Sequence, residues 1–219
     1  MSVPAVRLFV FDLDGTLVDS RRDIADAANA LLVSCGAEPL PEEQIGRMVG
    51  DGAARLVARA FEASGVERPP DALERYLACY DGRLLNHTCP YDGIPAVLDA
   101  LRPRAALAVL TNKPMASTRR ILDGLDLARY FPADAVIGGD GPFPRKPDPA
   151  ALRHLIAGAH ANADSTLMVG DSAIDWQTAR AAPARVCLVR YGFGFDSVSL
   201  TELAPEDRLI DSPRELLSL

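Results

Sequence analysis

The amino-acid sequence predicts an α/β fold, a doubly wound parallel sheet with a helical insert placed after its first strand. Short apolar runs recur at residues 8–11, 105–110, 135–137, 167–169 and 186–189, continuous as strands buried on both faces require. Helical periodicity fills most of the intervals between them, the pattern of right-handed βαβ units. One stretch, from residue 18 to about 88, carries helical periodicity and no strand.

The first run, Leu8-Phe9-Val10-Phe11, ends in Asp-Leu-Asp-Gly and reads as a central strand. In the insert, Ser20 and Asp23 form a capping pattern ahead of Ile24, Ala28, Leu31 and Leu32, and Gly36 stops that helix. A second, short helix starts at Pro41 with Glu42 and Glu43 in its first turn. A third carries Leu56, Val57, Ala60 and Phe61 before Gly65, and a fourth carries Leu73, Tyr76, Leu77, Tyr80 and Leu84. An insert of roughly 70 residues at this place sits above the carboxyl ends of the strands, where open α/β sheets bind ligands. The expected organisation is a discontinuous core, residues 1–17 and 88–219, and a helical cap, residues 18–87. Leu98 and Leu101, then Ile121, Leu122 and Leu125, then Leu152, Leu155 and Ile156, and finally residues 174–181 mark the helices of the core.

Hydrophobic residues make up 48% of the 219 residues and charged residues 24%, a globular balance that argues against disorder. A net charge of −7 gives no general attraction for nucleic acid or anionic lipid, while a local basic pocket for a small anion remains compatible with it. Cys35, Cys79, Cys89 and Cys187 form no C-x-x-C pair and read as reduced, mostly buried residues. Residues 1–12 hold an apolar run too short for a secretory signal, and no later run approaches the roughly 18 residues of a membrane span. A cytoplasmic protein is expected. His87, His154 and His160 show no ligand spacing and read as surface residues.

Four polar sites follow apolar runs. In Asp12-Leu13-Asp14-Gly15, residues two apart at a strand end can face one ligand, and two adjacent carboxylates can divide nucleophilic attack from proton transfer. A calcium loop would need an acidic or amide residue and then glycine where Thr16 and Leu17 stand; a solvated turn is the plainer alternative. Thr111-Asn112 offers a hydroxyl and main-chain N–H groups to phosphate oxygens, or simply opens a turn. Lys146 stands beside Pro147 and ahead of Pro149, which restrict the backbone around an ammonium able to neutralise phosphate charge; Arg145 competes for that role. Asp171, after Gly170, suits a hard cation. Asp175, one turn on, can hold the cation's waters, pair with Lys146, or serve as a first-turn acid. Together the four sites fit one task, a divalent cation and a lysine holding a phosphate in line with a carboxylate nucleophile.

On these motifs the chain resembles the haloacid dehalogenase superfamily, through Asp12-Leu13-Asp14-Gly15-Thr16, Thr111-Asn112, Lys146-Pro147 and Gly170-Asp171 through Asp175. Val49-Gly50-Asp51-Gly52-Ala53, Thr111-Asn112-Lys113-Pro114 and Ile137-Gly138-Gly139-Asp140 make it similar to the phosphoglycolate phosphatase branch. The resemblance implies a Rossmann-like core, Asp12 as nucleophile and Asp14 as general acid/base. It also implies Mg2+ held by Asp12, Asp171 and the main-chain carbonyl of Asp14, with Thr111, Asn112 and Lys146 around the phosphate and Asp175 behind the metal. Ala182-Pro183 departs from relatives that carry glycine after the helix. The cap loop at Gly50 and Gly52, with Arg55 behind it, is the expected reader of a second anion such as a carboxylate. The partner implied is a small phosphate ester, most simply 2-phosphoglycolate, handled by a monomer or homodimer with no nucleic-acid or membrane partner. Alternatives are a phosphatase of a sugar phosphate, nucleotide or pyrophosphate, a β-phosphoglucomutase-like phosphotransferase, and a non-catalytic phosphate-binding protein.

Overall fold

The computed structural model describes residues 4–219. Strand β1 (Leu8–Phe11) leads into a two-residue strand β2 (Val18–Asp19) and helices α1 (Arg21–Ser34), α2 (Glu42–Gly46), α3 (Ala53–Ser64) and α4 (Ala72–Asp81). The chain returns through β3 (Cys89–Pro90), antiparallel to β2. Alternation follows, with α5 (Ile94–Leu101), β4 (Ala106–Leu110), α6 (Met115–Gly124), β5 (Val136–Ile137) and α7 (Ala150–Gly158). It ends with β6 (Thr166–Gly170), α8 (Ala173–Ala181), β7 (Arg185–Val189) and β8 (Arg208–Ile210).

The sheet is six-stranded in the order β5-β4-β1-β6-β7-β8, and every pairing in it is parallel. All four residues of β1 are buried. Phe9 and Phe11 enter the larger core, which they share with Leu31 and Leu32 of α1 and Phe61 of α3. Leu8 and Val10 point the other way, into a second core with Leu152 and Leu155 of α7 and Val186 and Leu188 of β7. This period of two is the pleat at work, and it explains why the strand has no polar position. Register then positions the site. Phe11 lies opposite both Val109 and Val169, so Asp12, Thr111 and Asp171 all emerge just past the carboxyl ends of three neighbouring strands.

Several sequence expectations change. The stretch expected to be strand-free contains β2, whose pairing with β3 ties the two connections of the helical insert together. Strand β8 was not expected; it lies at the sheet edge and buries only Ile210. Ser20 precedes α1 but makes no cap hydrogen bond, because its Oγ donates to Asp14 Oδ1 at 2.5 Å. Asp23, expected to complete that capping pattern, instead accepts hydrogen bonds from His87 N, Thr88 N and Thr88 Oγ1. Only Cys187 among the four free cysteines is buried. The three histidines are exposed, as expected. Among the described residues no helix is long and apolar enough to cross a membrane.

Candidate active site

Asp12, Lys146, Asp171 and Asp175 meet at the carboxyl rim of the sheet, and all four are buried. Lys146 Nζ lies 2.6 Å from Asp175 Oδ1 and 2.9 Å from Asp12 Oδ1. The second contact is ionic and not a well-aligned hydrogen bond, since Asp12 Oδ1 has no hydrogen-bond partner. Asp175 Oδ2 accepts from Ser172 N and Ser172 Oγ, capping α8. Two of the readings of Asp175 thus hold together: it is a first-turn acid and the partner of Lys146. Arg145, the competitor for the lysine's role, is exposed and donates to the Gly139 carbonyl.

Close backbone approach makes the cluster. Gly15 has a φ of 85°, and a Cβ there would stand 1.9 Å from Asp171 Oδ2. A side chain at this turn would displace the carboxylate as well as strain the backbone. The loop after β7 covers the same group, where Gly194 N donates to Asp171 Oδ2 at 2.8 Å. Sequence reasoning gave no role to Gly192-Phe193-Gly194. Two glycines around an aromatic residue just beyond an apolar strand were the available signal.

One ammonium serves three carboxylates here. Burial is the largest influence on Asp12; Lys146 opposes it, Asp175 adds to it, and the carboxyl is raised to about 6. Asp171 is raised well above the usual carboxylate range, by burial first and then by Asp175 and Asp12. Burial alone would lower Lys146, but Asp12 and Asp175 together raise it, so it stays charged. Both groups are raised, which favours the charged form of Lys146 and disfavours that of Asp12, where burial outweighs the lysine. Ligand atoms of Asp12, Asp171 and Asp175 lie within 4.8 Å of one another. A buried, electron-rich oxygen set with an unpartnered Asp12 oxygen fits a hard divalent cation. Since Lys146 and Ser172 already engage both oxygens of Asp175, Asp12 and Asp171 have more free ligand capacity.

The Asp14 carboxylate turns away from this cluster. Lys113 Nζ contacts its two oxygens at 2.9 and 2.8 Å, and Ser20 supports it from the other side. Only the main chain of Asp14 could therefore join a metal set without breaking this pair. Lys113 is buried and lies over the ring of Tyr80, 4.7 Å from its centroid. Its place in the Thr111–Pro114 motif was read, but its partner is 99 residues away in sequence and left no local mark.

Thr111 is buried, and its Oγ1 accepts from Lys113 N. Asn112 is placed differently from the expectation. Its Oδ1 accepts from Lys146 N at 2.9 Å, while its Nδ2 donates to the Lys146 carbonyl at 3.0 Å and the Gly50 carbonyl at 2.9 Å. The side chain fastens the lysine's backbone and the cap loop, which leaves it no free donor for phosphate. Gly50 and Gly52 border the same cavity, together with Asp12, Asp14, Thr111, Lys113 and Asp171. Arg55 does not; it is exposed on α3 and absent from the cavity wall.

The cavity holds about 50 Å³, room for a few water-sized groups. Ile24, Val49, Leu56, Tyr76, Leu77 and Tyr80 give it an apolar and aromatic roof. A larger crevice, about 740 Å³, opens at the opposite end of the sheet beside Leu8, Ala106 and His154. Convergence of charged groups, and not volume, marks the smaller cavity as the site of chemistry.

The chain matches the family model described as haloacid dehalogenase-like hydrolase over residues 9–189. A phosphoglycolate phosphatase from Rhodospirillum rubrum is 45% identical over 208 residues, covering 90% of this chain and 86% of that protein. Phosphoglycolate phosphatase 1 of Pseudomonas aeruginosa is 37% identical over 219 residues, with 96% and 78% covered. Among solved structures, a predicted phosphoglycolate phosphatase from Haemophilus somnus superposes with a TM-score of 0.88 at 26% identity, covering 99% of each chain. Sequence match, strand order and the acidic cluster at the strand ends agree: this chain belongs to the haloacid dehalogenase-like hydrolase family.

Proposed function

We propose that this chain is a magnesium-dependent phosphomonoester hydrolase that converts 2-phosphoglycolate to glycolate and phosphate. The observation that carries the reading is the buried network in which Lys146 bridges Asp12 and Asp175 beside Asp171. Mg2+ bound by Asp12, Asp171 and the Asp14 main chain would neutralise phosphate charge and orient its oxygens. Asp12 attacks phosphorus in line, the ester P–O bond breaks, and Asp14, released from Lys113 and protonated when substrate binds, gives its proton to the leaving alkoxide. Asp14 then takes a proton from water, whose oxygen displaces Asp12 from the phosphoaspartyl intermediate and releases phosphate. Lys146 and the Thr111 hydroxyl hold phosphate oxygens throughout, and Asn112 keeps Lys146 in place.

In this reading residues 18–87 act as a cap over a core of residues 1–17 and 88–219. The small cavity and its apolar roof support a short substrate, and the names of the relatives support 2-phosphoglycolate among short esters. The net charge of −7 supports the absence of nucleic-acid or membrane partners, and the reading is of a cytoplasmic monomer or homodimer.

Phosphate release should be measured with and without Mg2+ on 2-phosphoglycolate, a sugar phosphate, a nucleotide and pyrophosphate. The expected result is Mg2+-dependent release with 2-phosphoglycolate preferred; equal rates on all four would refute the substrate assignment. Formation of a new phosphate ester in place of free phosphate when a sugar acceptor is added would make the chain a phosphotransferase. Asp12→Asn should fold and release no phosphate, and normal turnover in that variant would remove the nucleophile.

A further inference from the structure

We propose that Lys113 and Tyr80 form the recognition site for the substrate's second anionic group, a carboxylate at the end away from the phosphate. The inference rests on the substrate reading above and assigns the residues that enforce it. Lys113 is the one cationic side chain among the described residues lining the cavity. It follows β4 in the core, and its ammonium lies over the ring of Tyr80, a residue of α4 in the helical insert.

Tyr80 supplies the independent observation. The residue is 4% exposed, and its hydroxyl has no hydrogen-bond partner. An unmet buried hydroxyl is costly, and this one belongs to a residue that lines the cavity. Tyr76 stacks on the same ring, with centroids 5.8 Å apart, which fixes Tyr80 before any ligand arrives. Burial holds the phenol well above its usual range, so it is a donor at neutral pH. An ammonium over the ring face and an unmet phenol on the same residue, under an apolar roof, suit a small anionic group better than a neutral hydroxyl.

Without ligand, Lys113 spends its charge on Asp14. The ammonium has three donors and Asp14 engages it through both oxygens, so an arriving carboxylate must share or take it. The ammonium therefore sits against the Asp12–Asp14 loop, in the same small cavity as Asp12, a placement suited to a short ester. Since one recognition group comes from the core and the other from the insert, a carboxylate bound here bridges the two. An ester of equal length without the carboxylate gains no such bridge.

The test is the ratio of kcat/KM for 2-phosphoglycolate to that for ethyl phosphate, in the wild type, Lys113→Met, Lys113→Arg and Tyr80→Phe, all with Mg2+. Dividing by ethyl phosphate cancels effects on steps common to both esters. The ratio should fall about 10- to 100-fold in K113M and about 3- to 10-fold in Y80F, the loss of one charged and one neutral hydrogen-bonding partner. Each loss should appear mainly in KM for 2-phosphoglycolate, and K113R should restore most of the ratio. If K113M does not fold, Y80F alone decides. A high wild-type ratio retained in K113M and Y80F would overturn this inference and leave the substrate reading standing. A wild-type ratio near one would overturn both.

Discussion

Replacing Asn112 with alanine separates a positioning role from a direct phosphate contact. The side chain is 5% exposed and makes three hydrogen bonds, two to the main chain of Lys146 and one to the Gly50 carbonyl. Its orientation is forced, because one partner is an N–H and the other two are carbonyls. Each bond contributes about 1 kcal/mol net, and the buried Lys146 N–H would be left without an acceptor, so Asn112→Ala should cost about 3 kcal/mol. For a chain of this size that corresponds to a fall of roughly 6–12 °C in Tm. Urea unfolding and calorimetry should be run without Mg2+ or phosphate, so that only the protein's own contacts are read. A side chain whose purpose was to touch phosphate would give the opposite result. Its removal would leave the ligand-free protein as stable as before, within about 0.5 kcal/mol, while weakening inhibition by inorganic phosphate. That outcome would refute the clamp.

Two further predictions concern stability. In the absence of a divalent cation, the Asp12 carboxyl sits at about 6 in the folded chain against 3.8 for an ordinary aspartate, chiefly through burial. Between those values the folded chain holds a proton that the unfolded chain has lost. Asp12 should therefore lower stability by up to roughly 3 kcal/mol as pH rises from about 4 to 6, and Asp171, raised in the same direction, should carry the decline further. Denaturation curves from pH 4 to 7 measure this, and Mg2+ should flatten the decline; a metal-free chain that gains stability across the window would contradict it. Asp23→Ala removes the acceptor that holds His87 N, Thr88 N and Thr88 Oγ1 and should cost roughly 3 kcal/mol. Urea unfolding reads the loss, and an unchanged midpoint would show that these bonds do not fasten the insert.

The central sheet was legible because its strands are buried on both faces and so appear as unbroken apolar runs, as in β1, β4, β6 and β7. Strand β8 escaped the same reasoning because an edge strand with one buried residue has no such run. The charged residues at strand ends were legible as candidates because position after a buried strand restricts where a polar side chain can go. What each one touches was not legible. Ser20 and Asp23 carry the local signature of a cap, yet Asp14, six residues back, and the distant Thr88 segment outcompete the helix terminus for them. Arg55 looked well placed beside the glycine loop. It precedes Leu56 on α3, and the buried stripe through Leu56, Val57, Ala60 and Phe61 leaves it on the solvent side. Lys113 shows the reverse case, a lysine read only as part of the Thr111–Pro114 motif that is buried because its counter-ion arrives from another strand end.

The division of charge at the site explains why two lysines are needed and why they are held differently. Lys146 neutralises one of the three carboxylates Asp12, Asp171 and Asp175, and the remaining excess equals the charge of one divalent cation. A lysine in this position must not move, since any displacement would leave buried carboxylates unpaired. Two of the three Asn112 bonds fix its main chain, and Asp175, itself fixed by Ser172, fixes its ammonium. Of the three Asn112 bonds only the one to Gly50 reaches the insert, so its loss alone would leave both bonds to Lys146 in place. Lys113 has a balanced partner in Asp14 and an aromatic face, with no comparable clamp on its ammonium. It changes partners only where an arriving anion replaces Asp14, since the pair is buried and leaving either charge alone is costly.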